Sequence, residues 1–215
     1  MTSIRSISEI LLKDEELGDP QRNRFVGLIH QESVRLTRLL DEILDLSALE
    51  HGERLWDNLP IDAEAVLERA VGVCEPLARQ RSIRIERTGD GQTAWILGDA
   101  DRLCQVFINI IANAISHNSS PAPQVLVRSM QSDDHFIVEV ADNGPGIAEE
   151  FRSTIFEKFV RAGVATNSGL LGLGLGLNIS HTIITKLGGR IDVVEGPLPG
   201  ACFRISLPLC PAPAV

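Results

Sequence analysis

Apolar residues recur every three or four positions through much of this chain and every second position through most of the rest. Thr2 to Leu17 carries Ile4, Ile7, Ile10 and Leu11 on one helical face, and Gly18-Asp19-Pro20 breaks the pattern. A longer helix is predicted from about Gln21 to Glu50, where Phe25, Ile29, Leu36, Leu39, Ile43, Leu46 and Leu49 keep a spacing of three or four, with Glu32 filling one slot. That stripe is nearer a coiled-coil seam than a broad globular face. Two helices joined by a tight break cannot enclose a core alone. The pair is therefore expected to dock on a second copy as a dimeric four-helix bundle, with packing along its own chain as the alternative.

His51-Gly52 stops the second helix and opens a short connector, Glu53 to Pro60, after which the composition changes character. A boundary near Trp56 divides the chain into 1–55 and 56–215. Asp62 is placed to cap a helix over Ala63 to Gln80, with Val66, Leu67, Ala70, Val73 and Leu77 inward and Pro76 positioned to kink it. Ser82 to Arg87 and Thr93 to Leu97 alternate as strands around the turn residues Gly89-Asp90-Gly91. Asp99 caps a strongly periodic helix, Ala100 to Ser116, whose buried side is Leu103, Val106, Phe107, Ile110, Ile111 and Ala114. Gln124 to Gln131 and His135 to Ala141 read as a hairpin joined by Ser132-Asp133-Asp134. Asn178 to Leu187 is apolar-periodic, Arg190 to Val194 and Cys202 to Leu207 are strands, and the proline-rich tail is expected to fray. The fold class is α+β: a helical hairpin, then a mixed, mostly antiparallel sheet with helices on one face.

Two glycine-rich turns interrupt these patterns. Asp142-Asn143-Gly144-Pro145-Gly146-Ile147 ends a strand in a carboxylate and breaks into Gly-x-Gly, which lets backbone approach a flat ligand closely. Gly169 to Leu177 runs into a helix and leaves N–H groups beyond its start, where phosphate is well placed. Asn109 and Asn113 lie four apart on one helix face, and an amide oxygen is a hard ligand suited to Mg²⁺.

With 44% hydrophobic and 23% charged residues over 215, the chain has the composition of an ordinary soluble protein able to bury a core. A net charge of -9 argues against a general nucleic-acid surface. Cys74, Cys104, Cys202 and Cys210 are too widely spaced for a zinc site or a disulfide framework, so a reducing, cytoplasmic setting is the default. No apolar run reaches the ~18 residues of a membrane span, and the start lacks the build of a signal peptide. Any membrane attachment is expected through segments outside these residues.

Taken together, these features resemble the sensor histidine kinases, members of the GHKL superfamily with gyrase and the heat-shock chaperone ATPases. Gln105 to Ile115 is similar to the N box of that family, Asp142 to Ile147 to its G1 box, Ile155 to Ala162 to its F box and Gly172 to Ile179 to its G2 box. Gly200-Ala201-Cys202-Phe203 matches the last glycine box. Five boxes in order are far more specific than one Asp-x-Gly-x-Gly.

The resemblance implies a Bergerat-type sandwich that binds ATP with Mg²⁺. By it, Asp142 accepts the adenine amino proton, with Gly144, Gly146 and Ile147 beside it. Asn109 ligates the metal, and Asn113 contacts phosphate or metal-bound water. Gly172, Gly174, Leu175, Gly176 and Leu177 form the phosphate turn, and Ala162 to Leu171 a short mobile lid. Arg161 reaches the γ-phosphate as the catalytic cation, the alternative being a surface salt bridge. Ser116-His117 stand where many members carry Lys before an aromatic or His; His117 either lines the nucleotide or is simply exposed. Ala201 replaces a common Thr.

Leu36 to Gly52 is similar to the second helix of the family's dimerisation domain, and Thr2 to Leu11 to the residues just after its H box. That implies a homodimer through residues 1–50 and a response-regulator receiver domain as partner. The acceptor His is expected before Met1, since none of His30, His51, His117, His135 and His181 matches its position. A hydrolytic GHKL ATPase would carry a general-base Glu where Asn109 stands, so transfer is favoured over hydrolysis. A nucleotide-independent dimeric scaffold is the remaining rival, and its intact glycine boxes speak against it.

Overall fold

The computed structural model describes residues 2–13, 17–51, 57–160 and 174–213. Two helices come first, α1 (Thr2–Lys13) and α2 (Asp19–His51). Pro20 sits in the first turn of α2, where its missing N–H costs nothing, so the predicted breaker marks a helix start. Of the predicted seam, Phe25 and Ile29 are half-buried, while Leu36 and Ile43 are exposed. Leu40 and Leu44, at 53% and 65% exposure, extend this uncovered apolar surface. The side chains of Leu39, Leu46 and Leu49 lie outside the described residues.

The remainder is an α/β sandwich. Strand β1 (Leu59–Asp62) precedes α3 (Ala63–Gln80), followed by β2 (Arg84–Thr88), β3 (Trp95–Gly98) and α4 (Ala100–Ser116). Then come β4 (Gln124–Ser132), β5 (His135–Asp142), α5 (Gly176–Lys186), β6 (Arg190–Val193) and β7 (Cys202–Pro208). The main sheet has the order β2-β4-β5-β7-β6, parallel only between β2 and β4. A separate antiparallel pair joins β1 to β3. The connector read up to Pro60 thus contains a strand, tolerated at Pro60 because this two-stranded ribbon is all edge. Strands β2 and β3 flank the predicted turn but pair with different partners.

Both predicted caps form. Asp62 accepts from the backbone N–H of Glu64 at 3.1 Å and of Ala94 at 3.2 Å, tying the start of α3 to β3. Asp99 accepts from Asp101 and Arg102 N–H at 3.0 and 3.1 Å. Each satisfies donors that a helix start leaves open. The α4 stripe is buried as predicted, with Leu103, Val106, Phe107, Ile110 and Ile111 at 0% exposure. On α3 the inner face is rotated slightly: Val73 is 56% exposed, and Cys74, at 3%, is the buried neighbour. Pro76 lies inside α3 without ending it.

The strands alternate as their period of two requires. Val125 and Val127 of β4, Phe136, Val138 and Val140 of β5, and Phe203, Ile205 and Leu207 of β7 face the helices and are buried. The opposite face carries a charged row set by the register Arg128↔Glu139↔Arg204↔Asp192. Arg204 bonds Glu139 at 2.6 Å there. The tail does not fray where expected. Leu209 N–H donates to Asp134 O at 2.8 Å and Cys210 N–H to Trp95 O at 2.7 Å, so the segment after β7 links the main sheet to the β1–β3 ribbon.

Candidate functional site

Strand β5 runs through the middle of the sheet between β4 and β7 and delivers Asp142 to its end. Asp142 is only 5% exposed. Its Oδ1 accepts from Gly144 N–H at 2.8 Å and from Ala201 N–H at 3.3 Å. Its carbonyl accepts from Gly200 N–H at 3.0 Å, and its own N–H donates to Ala201 O at 2.9 Å. One carboxylate oxygen is thus held by backbone, and Oδ2 is left to meet an incoming donor. Burial pushes the carboxyl above the ordinary carboxylate range; the two backbone donors and His117 nearby pull the other way.

Three glycines make this arrangement possible. Gly200 has no space for a side chain, because a methyl group there would overlap the carbonyl and Oδ1 of Asp142 and sit 2.6 Å from Gly144 N. Gly146 has φ +75° and packs against the Gly200 backbone. Gly144 lies against the C-terminal end of α4: its absent methyl would sit 3.2 Å from Asn118 Cα and 3.3 Å from His117 O. His117 is exposed at the α4 C-cap, where its N–H donates to Asn113 O at 3.0 Å.

Asn109 and Asn113 are both half-buried on α4. Asn109 Nδ2 donates to Ser180 Oγ at 2.8 Å across to α5, and Oδ1 lies against the first turn of the same helix. Gly176 opens α5 directly against that amide, and a methyl group on it would lie 2.6 Å from Asn109 Oδ1. Leu175 occupies the N-cap position, and its side chain does not cap the first donors of α5. Gly174 has φ +75°, and Leu177 and Ile147 are half-buried against the core. A groove of about 610 Å³ runs from Asn109, Gly176 and Ser180 toward Arg69 and Val73 of α3, and Asp142 does not line it.

The F-box segment is anchored through Phe156, whose ring lies 5.6 Å from His181 on α5 and 6.3 Å edge-on from Phe203 on β7. Asn178 Nδ2 donates to Phe156 O at 2.9 Å. The predicted catalytic Arg161, the lid Ala162 to Leu171 and Gly172 lie outside the described residues.

The structure therefore gathers Asp142, Gly144 and Gly146 with His117 at one end of α4, and Asn109 with Gly176 further along it. Sequence reasoning missed Ser180 and Asn178, hydroxyl and amide within an apolar-periodic helix. A polar side chain in a buried stripe was the available signal. It put Gly200 and Ala201 in a glycine box without foreseeing their contacts: Ala201 N–H bonds the Asp142 carboxylate and Gly200 N–H the Asp142 carbonyl. Among the described residues no three His, Cys, Asp or Glu side chains converge as a metal site. An Mg²⁺ held by one amide oxygen, phosphate and water fits this sparse donor set. No helix among the described residues is long and apolar enough to cross a membrane.

Residues 98–211 match the family described as histidine kinase-, DNA gyrase B- and HSP90-like ATPase, and residues 1–52 match the His Kinase A (phospho-acceptor) domain. The sensor protein ChvG of Agrobacterium fabrum is 33% identical over 97% of this chain and 36% of its own length. Among solved structures, the mycobacterial sensor histidine kinase MprB is 31% identical with a TM-score of 0.60, covering 72% of this chain and 99% of that one. Full-length ShkA in complex with AMPPNP is 27% identical with a TM-score of 0.75, over 99% of this chain and 44% of that one. The chain spans between about a fifth and a half of the length of the curated relatives it matches. Helical hairpin, mixed sheet, glycine turns and family matches agree: the chain belongs to the sensor histidine kinases and is a catalytic and dimerisation region of that family.

Proposed function

We propose that this chain binds Mg-ATP between α4, α5 and the turn after β5, as the nucleotide-binding core of a protein-histidine kinase. The observation that carries the reading is Asp142: a buried carboxylate with one oxygen fixed by Gly144 and Ala201 N–H and the other available to an exocyclic amine. An acceptor there suits adenine, whose amino group donates, over guanine, whose carbonyl does not. The binding of AMPPNP by the related ShkA supports it.

In this reading the Asn109 amide oxygen ligates Mg²⁺, and Asn113 contacts phosphate or a metal-bound water. The metal, when bound, neutralises phosphate charge. Backbone N–H groups at Gly172, Gly174 and Gly176 hold phosphate oxygens at the start of α5. Arg161 approaches the γ-phosphate. Asn109 cannot serve as a general base for water, which favours transfer to a protein acceptor over hydrolysis. The two parts, 1–55 and 56–215, divide dimerisation from nucleotide binding. The exposed Leu36, Leu40, Ile43 and Leu44 of α2 form the homodimer surface. The whole kinase acts on the cytoplasmic side and passes the phosphoryl group from a histidine to an aspartate of a response-regulator receiver domain.

Calorimetric titration with ATP, ADP and GTP, with and without Mg²⁺, tests the reading; heat from adenine nucleotides alone is expected, and no binding would overturn it. Gly176→Ala is expected to push the Asn109 amide aside and weaken Mg-ATP roughly tenfold, with a smaller loss when Mg²⁺ is chelated. No histidine of this chain occupies the family's acceptor position. Incubation of the chain alone with radiolabelled ATP is therefore expected to leave no label on histidine; stable phosphohistidine would overturn that expectation.

A further inference from the structure

The turn after β5 contains a polar residue that the nucleotide reading does not use. Asn143 directs its whole side-chain amide at the loop between α4 and β4, residues 117–123, and at Gln124, which opens β4. Its Oδ1 accepts from Asn118 Nδ2 at 2.9 Å and from Gln124 N–H at 2.8 Å. Its Nδ2 donates to Ala122 O at 2.8 Å and to Ser120 Oγ at 3.3 Å. Both lone pairs and both hydrogens are used, the full capacity of an amide. Asn118 reciprocates from the loop: its Nδ2 also reaches Gln124 O at 3.1 Å, and its Oδ1 accepts from Ser120 N–H at 3.1 Å.

A residue needed only to make the turn would bond its own backbone, as Asp142 does with Gly144. Asn143 instead bonds the first residue of β4 and the loop before it, which contains Pro121 and Pro123. The two amides stand next to the two residues at the adenine end: Asn143 follows Asp142, and Asn118 follows His117. Gly144 closes the gap between them, passing against His117 O and Asn118 Cα.

We infer that Asn118 and Asn143 form an amide clip that fixes the loop after α4 across the turn after β5, and so sets the width of the adenine end of the nucleotide site. Both are positioning residues, and the inference rests on the nucleotide reading above. The clip acts on the base and not on the phosphates, because Asn109 and the start of α5 lie further along α4 and bond through Ser180.

The test is calorimetric titration of the full chain with Mg-ADP and, separately, with Mg-tripolyphosphate, which has no base. Asn118→Ala and Asn143→Ala are each expected to weaken ADP about tenfold, the worth of one to two such hydrogen bonds, and to leave tripolyphosphate binding unchanged. The double variant is expected to be no weaker than either single one, because the two side chains act as one unit. Unchanged ADP affinity in the variants, an equal loss of both ligands, or losses that simply add would overturn the clip. If Asn143→Ala melts below the assay temperature, Asn118→Ala, which cuts the same contact from the loop side, decides the matter by the same readings. A wild-type chain that binds tripolyphosphate but not ADP would overturn the adenine reading itself.

Discussion

Asp142→Asn is expected to lower the affinity for adenine nucleotides by about one to two orders of magnitude while leaving the domain folded. The geometry dictates the sign. The Gly144 and Ala201 N–H groups both point at Oδ1, so the amide of the variant must place its oxygen there. Its NH₂ then takes the position of Oδ2 and faces the adenine amino group, donor against donor. Rotating the amide the other way would leave two backbone donors facing a third. Stability is expected to move in the opposite direction. Burial holds the Asp142 carboxyl above its usual value, so the charged form works against folding: its contribution is most favourable below the ordinary carboxylate pKa and is lost as pH rises through the raised one. Removing the charge should hold or raise the melting temperature at neutral pH. In the wild type, protonation removes the acceptor, so as pH is lowered ADP affinity should begin to drop at a higher pH than that at which an ordinary carboxylate titrates. Calorimetry across pH, paired with thermal melts of both proteins, checks all three statements. An Asp142→Asn variant that binds ADP as tightly as the wild type would remove Asp142 from the site.

Gly200→Ala is the second large effect, and here fold and site fail together. The added methyl would overlap the Asp142 carbonyl and carboxylate and press on Gly144 N, all of them backbone or backbone-fixed atoms. No flexible side-chain end can yield. The turn must open, breaking Gly200 N–H to Asp142 O and Ala201 N–H to Oδ1. Overpacking of this kind costs about 3 kcal/mol, which for a chain of this size lowers the melting temperature by about 6 to 12 °C. ADP binding should be lost even at temperatures where the variant is folded, since the carboxylate is no longer aimed. A thermal melt with a titration well below the transition separates the two losses.

Much of this was readable from sequence where the controlling interaction is local. Asp62 and Asp99 cap because a cap needs only the next three residues. The α4 stripe and the β4–β5 hairpin follow from periodicity and a short polar turn, read as Ser132-Asp133-Asp134 and observed as Asp133-Asp134. The G1 box and the N box singled out Asp142 and Asn109 as candidates because their spacing is itself the signal. The misses are non-local. Strand β1 reads as connector, since Leu59-Pro60 gains its strand character only from its register with β3. Strands β2 and β3 flank a turn yet join different sheets, a choice made by β4, which pairs with β2. Val73 looked inward by spacing, but the tilt of α3 on α4 puts Cys74 there instead. Ser180 meets Asn109 across 71 positions of chain, a distance no local pattern reaches. Arg161, Gly172 and the lid lie outside the described residues.

The position of β7 sets an order of assembly. It follows every other strand in the chain yet lies inside the sheet, between β5 and β6. The residues just before it, Gly200 and Ala201, supply the donors that aim Asp142. During synthesis the hairpin helices and the β4–β5 pair can form early. The base pocket stays unmade until β7 has been translated and slots in beside β5. On the nucleotide reading, a nascent chain is therefore not held by nucleotide until β7 has been made, and ligand-assisted folding begins only after that strand.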